Sequence, residues 1–231
     1  MKVTVCEISD NESEFSEDWE LLKIHLMENP SDLLLLPEMP FCEWIASELP
    51  ASEEKKKEAV NKHLSWLERF DELNVDQIVY SRPVIDGQKY YNSAFLWQKH
   101  KGNKQLHSKQ YFPEEEHFWE ASWYDADDKG FSITDFDGLK IGVLLCTEVW
   151  FTQHARAYGE QGVDILLCPR ATGKSSVAQW KRCGQTLAVI SGAYCLSSNR
   201  SGIGKNNFLW GGAGNKLLIS RLVFVHSVSI V

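Results

Sequence analysis

No stretch of this chain approaches the ~20 consecutive apolar residues that a membrane-spanning helix requires. The opening residues, Met1-Lys-Val-Thr-Val-Cys-Glu7, place an acid where a secretory leader needs an apolar segment. The chain therefore reads as soluble and cytoplasmic. A basic surface is missing too, since 24 Lys and Arg stand against 32 Asp and Glu, for a net charge of −8. That balance argues against nucleic acid as a partner, because phosphate backbones are bound mainly by clustered cations. The one basic run, Lys55-Lys-Lys57, is hemmed by Glu53, Glu54 and Glu58 and reads as a solvated helix face. Six cysteines lack paired spacings, which disfavours both a disulfide framework and a structural zinc site. Internal repeats, low-complexity tracts and Pro, Gly or Ser-rich linkers are absent as well. What remains is a chain of 231 residues, 43% hydrophobic, long enough for one large α/β domain.

The periodicity supports that class. Val3 to Ile8 alternates as a strand does, and Phe15, Trp19, Leu22 and Leu26 follow at helical spacing up to Asn29-Pro30. Leu33 to Leu36 is a continuous apolar run, the pattern of a strand covered on both faces. A helix is predicted from about Ser52 to Leu73, with Val60, Leu64, Leu67 and Phe70 as its buried stripe. Asp86-Gly87 and Asp137-Gly138 are dipeptides suited to tight turns and predict two hairpins. Beyond them a helix over Gln153 to Gln161, a strand over Val163 to Cys168, a helix over Ser176 to Ile190 and a strand over Ala193 to Ser198 alternate.

Two apolar runs end on reactive groups, Leu33-Leu-Leu-Leu-Pro-Glu38 on a carboxylate and Ile141-Gly-Val-Leu-Leu-Cys146 on a thiol. In α/β sheets chemistry gathers at the carboxyl ends of strands, so the two suggest one site. Taken alone, Cys146 is more often a buried cysteine than a nucleophile. A cysteine nucleophile requires a base or positive surroundings, together with donors for the oxyanion that follows attack. His107, His117 and His154 lie near candidate loops, yet none sits in a cysteine-protease signature. Glu38, Lys109 and Cys146 stand out instead.

In their local contexts these three residues resemble the catalytic set of the nitrilase, or carbon-nitrogen hydrolase, superfamily. Leu-Pro-Glu38-Met-Pro-Phe is similar to its glutamate motif, Ser-Lys109-Gln-Tyr-Phe-Pro to its lysine motif, and Gly-Val-Leu-Leu-Cys146-Thr-Glu-Val-Trp-Phe to its cysteine motif. Gly162 to Pro169 and Ser198 to Gly202 resemble framework segments of the same family. The resemblance implies a four-layer α-β-β-α sandwich with two mixed sheets, acting on a small amide or nitrile without metal or organic cofactor. It implies Glu38 as base, Lys109 as fixed charge, Cys146 as nucleophile and the Thr147 N–H as an oxyanion donor. A second glutamate is expected soon after the lysine. Glu120, followed by Ala-Ser-Trp-Tyr, is chosen, with Glu115 and Glu116 as fallbacks. Thr147, Trp150 and Arg170 are candidate substrate contacts, Arg170 as a carboxylate clamp or a structural ion pair. Residues 147–149 hold no arginine where carbamoyl amino-acid hydrolases of the superfamily often have one. That disfavours a carbamoylase, and an amidase is favoured over a nitrilase because the resemblance implies amide hydrolysis as the commoner activity.

The resemblance runs to about Gly214, giving a hydrolase domain over 1–214 and a divergent segment of the same domain over 215–231. The final apolar, β-prone stretch departs from the family pattern, so the C-terminal strands are expected to be truncated or divergent. The resemblance would also make the chain a homodimer or larger homo-oligomer, if the C-terminus permits. Two rivals remain: an inactive assembly partner, and a papain-like protease relying on His154.

Overall fold

Helix α1 (Glu12–Glu28) begins where the Asn11 side chain accepts hydrogen bonds from the Ser13 and Glu14 amides. Such a cap satisfies amides that a helix start leaves without partners. Phe15, Trp19, Leu22 and Leu26 form its buried stripe, as their spacing predicts. The computed structural model describes residues 1–9, 11–211 and 218–220. Among these, no helix is long and apolar enough to cross a membrane.

The first half of the chain supplies β1 (Val3–Ser9), β2 (Leu33–Leu35), β3 (Gln77–Asp86), β4 (Lys89–Gln98) and β5 (Gly102–Ser108). The second supplies β6 (Thr134–Phe136), β7 (Leu139–Val143), β8 (Ile165–Pro169) and β9 (Tyr194–Ser201). Both Asp-Gly turns join antiparallel strands, β3 with β4 and β6 with β7. Strand β5 extends the first hairpin and has no counterpart among the sequence expectations, because Gly102 to Gln105 is polar and exposed. Pairs β1 with β2, β2 with β3, β7 with β8 and β8 with β9 are parallel.

The expectation of two separate sheets is corrected here, since the strands form one connected path, β5-β4-β3-β2-β1-β9-β8-β7-β6. Strand β9 makes the join. Its residues Tyr194 to Ser198 pair with β8, and Asn199 to Ser201 continue onto β1. Of the expected divergent segment 215–231, only β10 (Leu218–Ser220) lies within the described residues, where it pairs antiparallel with β1.

Side-chain alternation along β2 assigns its two faces to different cores. Leu34 and Leu36 join Phe15, Trp19 and Leu22 of α1, whereas Leu33 and Leu35 join Val143, Leu145, Leu167 and Leu196 from the second half. Both faces of β2 are covered, which is why the run reads as uninterrupted leucine. A third cluster packs α4 (Thr152–Glu160) and α5 (Val177–Ser191) over Leu166, Cys168 and Cys195. Helix α2 (Glu53–Leu67) is shorter than its periodicity predicts, and its stripe is met in part, with Val60 and Leu67 partly buried against the cores. Ala59 and His63 are the buried positions, Leu64 is 44% exposed, and Phe70 is buried from a separate helical turn. The buried imidazole occupies the place where an apolar-only template puts Leu64.

Candidate active site

Three chain segments leave the sheet at neighbouring places. Glu38 follows β2, its amide donating to the Arg170 carbonyl just past β8 at 3.2 Å. Lys109 directly follows β5, and its amide donates to the Asn92 carbonyl on β4 at 2.8 Å. Cys146 stands three residues beyond β7 and opens a short helical turn, Cys146–Trp150.

These segments bring the side chains together. Lys109 Nζ donates to Glu38 Oε1 at 2.9 Å and to Glu120 Oε2 at 2.6 Å, with all three side chains fully buried. Glu120 opens α3 (Glu120–Trp123). Asn92 Nδ2 also donates to Glu38 Oε1, at 2.7 Å. One oxygen of each carboxylate is thereby fixed, while Glu38 Oε2 and Glu120 Oε1 are buried with no hydrogen-bond partner. Unpaired buried oxygens are costly in a fold, and these two are open to accept a hydrogen bond or a proton.

Cys146 is 3% exposed and adopts φ +47°, the left-handed region that non-glycine residues seldom occupy. Its sulfur lies 3.8 Å from the Ala171 carbonyl oxygen. Burial drives its thiol well above the ordinary range, Glu38 adds to that, and Lys109 opposes it. The resting sulfur is therefore a thiol whose proton must be taken before attack. Burial works against charge on Lys109, yet Glu120 and Glu38 outweigh it and hold the ammonium protonated. Burial pushes Glu120 up to about 8 even though Lys109 pulls the other way.

A cavity of about 190 Å³ opens over Cys146 and Glu120, walled by Thr147, Trp150, Phe118, Thr172 and Trp180 among others. Trp150 and Trp180 face one another with ring centroids 4.7 Å apart. Thr147 Oγ1 is held by the Tyr111 carbonyl at 2.8 Å. Glu115 reaches the cavity from an exposed turn, and Glu116 is exposed beside it. Among the described residues it is Glu120, not these two, that meets Lys109. Arg170 stands outside the cavity lining. Its guanidinium donates to Ser197 Oγ at 2.6 Å and Thr172 Oγ1 at 3.0 Å, and it lies over the Trp180 ring. Its bonded partners are hydroxyl oxygens, neither a substrate carboxylate nor an acidic side chain. His154 bonds the Tyr111 hydroxyl at 3.0 Å and stacks on Phe131.

Three supporting residues escaped the sequence reading. Asn92 was detectable as an amide within an aromatic strand, an unfavoured place for Asn. Glu148 is fully buried and is bonded by the Leu145 amide, the Gln110 amide and His107. Arg200, buried between Trp44 and Trp210, donates to the carbonyls of Glu38 and Cys42 at 3.1 and 2.9 Å and also to that of Met39. Burial lowers its pKa to about 9. Among the described residues, no group of three or more His, Cys, Asp or Glu is placed to hold a metal ion.

The family match and the structural neighbours together make this chain a member of the nitrilase superfamily. More specifically, residues 2–221 match the family described as carbon-nitrogen hydrolase, and the chain belongs to it. It is similar to citrullinase of Francisella tularensis subsp. tularensis, 26% identical over 225 residues that cover 87% of this chain and 74% of that protein. It is also similar to N-carbamoylputrescine amidase of Solanum tuberosum, 29% identical over 49% of this chain and 40% of that enzyme. The chain thus aligns with well under half the length of the plant relative. Among solved structures, an amidase of the nitrilase superfamily from Nesterenkonia AN1 superposes with a TM-score of 0.74 at 17% identity, covering 97% of this chain and 91% of the other. A carbon-nitrogen hydrolase from Helicobacter pylori G27 gives 0.76 at 19%, covering 91% and 79%. At such identities the likeness speaks for the fold.

Proposed function

We propose that this chain hydrolyses the carbon-nitrogen bond of a small amide through a thioester on Cys146. The observation that carries the reading is the contact of Lys109 Nζ with Glu38 and Glu120 in a buried cluster opening on the Cys146 cavity. In the proposed cycle Glu38 Oε2, the oxygen without a partner, accepts the thiol proton and the thiolate attacks the carbonyl carbon. Lys109 and the Thr147 amide offset the negative charge that develops on the carbonyl oxygen. The proton held on Glu38 passes to the leaving nitrogen, the carbon-nitrogen bond breaks, and ammonia or an amine departs. Water then gives a proton to Glu38 while its oxygen attacks the thioester. The acid leaves and the thiol regains its proton. Glu120 orients Lys109.

The names of two relatives, citrullinase and N-carbamoylputrescine amidase, support a second reading in which the bond cleaved belongs to a carbamoyl group. Carbamoyl transfer to Cys146 follows the same steps. The reading extends to architecture: the shared core of Leu33, Leu35, Val143 and Leu167, with helical clusters outside it, supports an α-β-β-α layering of the folded-over path. A homodimer is expected in light scattering.

Ammonia release over a panel of primary amides, nitriles and N-carbamoyl amines tests the proposal. Release that falls at least about 10³-fold in Cys146→Ala supports it. Release that survives this substitution sinks the mechanism, and a folded wild type inert on every arm favours the assembly-partner reading.

A further inference from the structure

Glu148 lies two residues past Cys146 and does not line the cavity, yet it is as fully buried as the catalytic cluster. Its Oε2 accepts the Leu145 amide at 2.8 Å, and its Oε1 accepts the Gln110 amide at 2.8 Å. His107 Nε2 closes the carboxylate's third side, 2.8 Å from Oε2 and 3.0 Å from Oε1. The two amides belong to the residue directly before Cys146 and the residue directly after Lys109. No other described carboxylate is bonded to both segments. The Glu148 amide in turn donates to the Leu145 carbonyl at 3.1 Å, closing the turn on which Cys146 sits at φ +47°. A left-handed cysteine is held only where its surroundings over-determine it.

We infer that Glu148 is a positioning residue, a clamp whose two oxygens fix the spacing between the Cys146 thiol and the Lys109 ammonium without touching the reacting atoms. The inference deepens the function proposed above and rests on Cys146 as nucleophile. A carboxylate suits the task because both its oxygens accept, whereas a glutamine presents one acceptor and turns an NH₂ toward a donor. Aspartate keeps both oxygens but is one methylene shorter, so it cannot span both amides.

The test is Glu148→Gln and Glu148→Asp, each checked for folding by thermal melting. Two quantities are read: kcat and KM per alkylatable Cys146, and the rate at which iodoacetamide alkylates Cys146 as a function of pH, followed by peptide mass. A displaced thiol is expected to lose about 100-fold in kcat per intact thiol, with KM changing less than about threefold. The alkylation profile is expected to move to higher pH by about one unit as Lys109 leaves the thiolate. Turnover per thiol and an alkylation profile both equal to wild type in a folded Glu148→Gln overturn the inference, as they assign Glu148 to stability alone. Rescue to wild-type turnover by Glu148→Asp overturns it too, since charge rather than span is then what matters. Should Glu148→Gln not fold, Glu148→Asp carries the test. Alkylation needs no substrate, so a wild type without amide turnover ends the proposed function while the alkylation arm still decides the role of Glu148.

Discussion

Lowering the pH from 7 to 4 is expected to destabilise this protein through one imidazole. His63 is fully buried on α2, where Nδ1 donates to the Ala59 carbonyl at 2.7 Å and Nε2 accepts the Phe41 amide at 3.4 Å. That pattern requires the neutral ring, and burial takes its pKa from 6.5 down to about 4. Above pH 6.5 the ring is neutral in both the folded and the unfolded chain, so the stability associated with it is fully present. As the pH falls, the unfolded chain binds the proton first, and stability is lost down to about pH 4. The slope is about 1.4 kcal/mol per pH unit and the total about 3 kcal/mol. A loss of that size is a large share of the 5–15 kcal/mol typical of a domain. Urea unfolding of wild type and His63→Gln between pH 7 and 4 measures it. Comparing slopes rather than absolute stabilities removes the packing change. A flatter slope in the variant is the expected result, and parallel slopes refute the reasoning. Activity is expected to fall in the same window, because Phe41 lies three residues from Glu38 and its ring packs on His63.

Lys109→Met leaves two buried carboxylates without their cation; we expect no detectable ammonia release and a loss of about 3–5 kcal/mol in urea unfolding. Glu120→Gln keeps one acceptor for Lys109 but removes half of its buried counter-charge, and kcat is expected to drop about 100-fold with the fold intact by circular dichroism. Trp150→Ala, at the cavity wall, should raise KM while leaving kcat within about threefold, as expected for a group that binds without entering the chemistry. Arg200→Lys loses part of a fork that grips three carbonyls around Glu38 and is expected to cost about 2–4 kcal/mol in melting experiments.

The elements that the sequence made legible are those with strong periodicity. The stripe of α1, the leucine run of β2 and both Asp-Gly turns follow from local rules that the tertiary structure does not override. Strand β5 escaped because edge strands carry no apolar alternation, and Gly102 to Gln105 is exposed. On the α2 stripe only Leu64 turns outward, while His63 is buried beside it at a position invisible to a template that counts apolar residues only. At the site, Glu38, Lys109 and Cys146 stand in recognisable local contexts, and the bonding of Lys109 to both Glu38 and Glu120 is a matter of geometry that no single window contains. Glu148 and Arg200 serve by bonding backbone from distant segments, 38 residues away for the Gln110 amide and 162 for the Glu38 carbonyl, and Asn92 by donating to the Glu38 carboxylate 54 residues away. Arg170 sits in a suggestive place after β8, but Ser197 and Thr172 occupy its guanidinium.

The acyl-enzyme is the claim on which everything else depends. Rapid acid quenching of the protein during turnover of an active amide, followed by peptide mass spectrometry, should find the acyl or carbamoyl mass on the peptide carrying Cys146 and on no other cysteine peptide. Steady turnover with that peptide unmodified, or with the adduct on a different residue, would contradict the account.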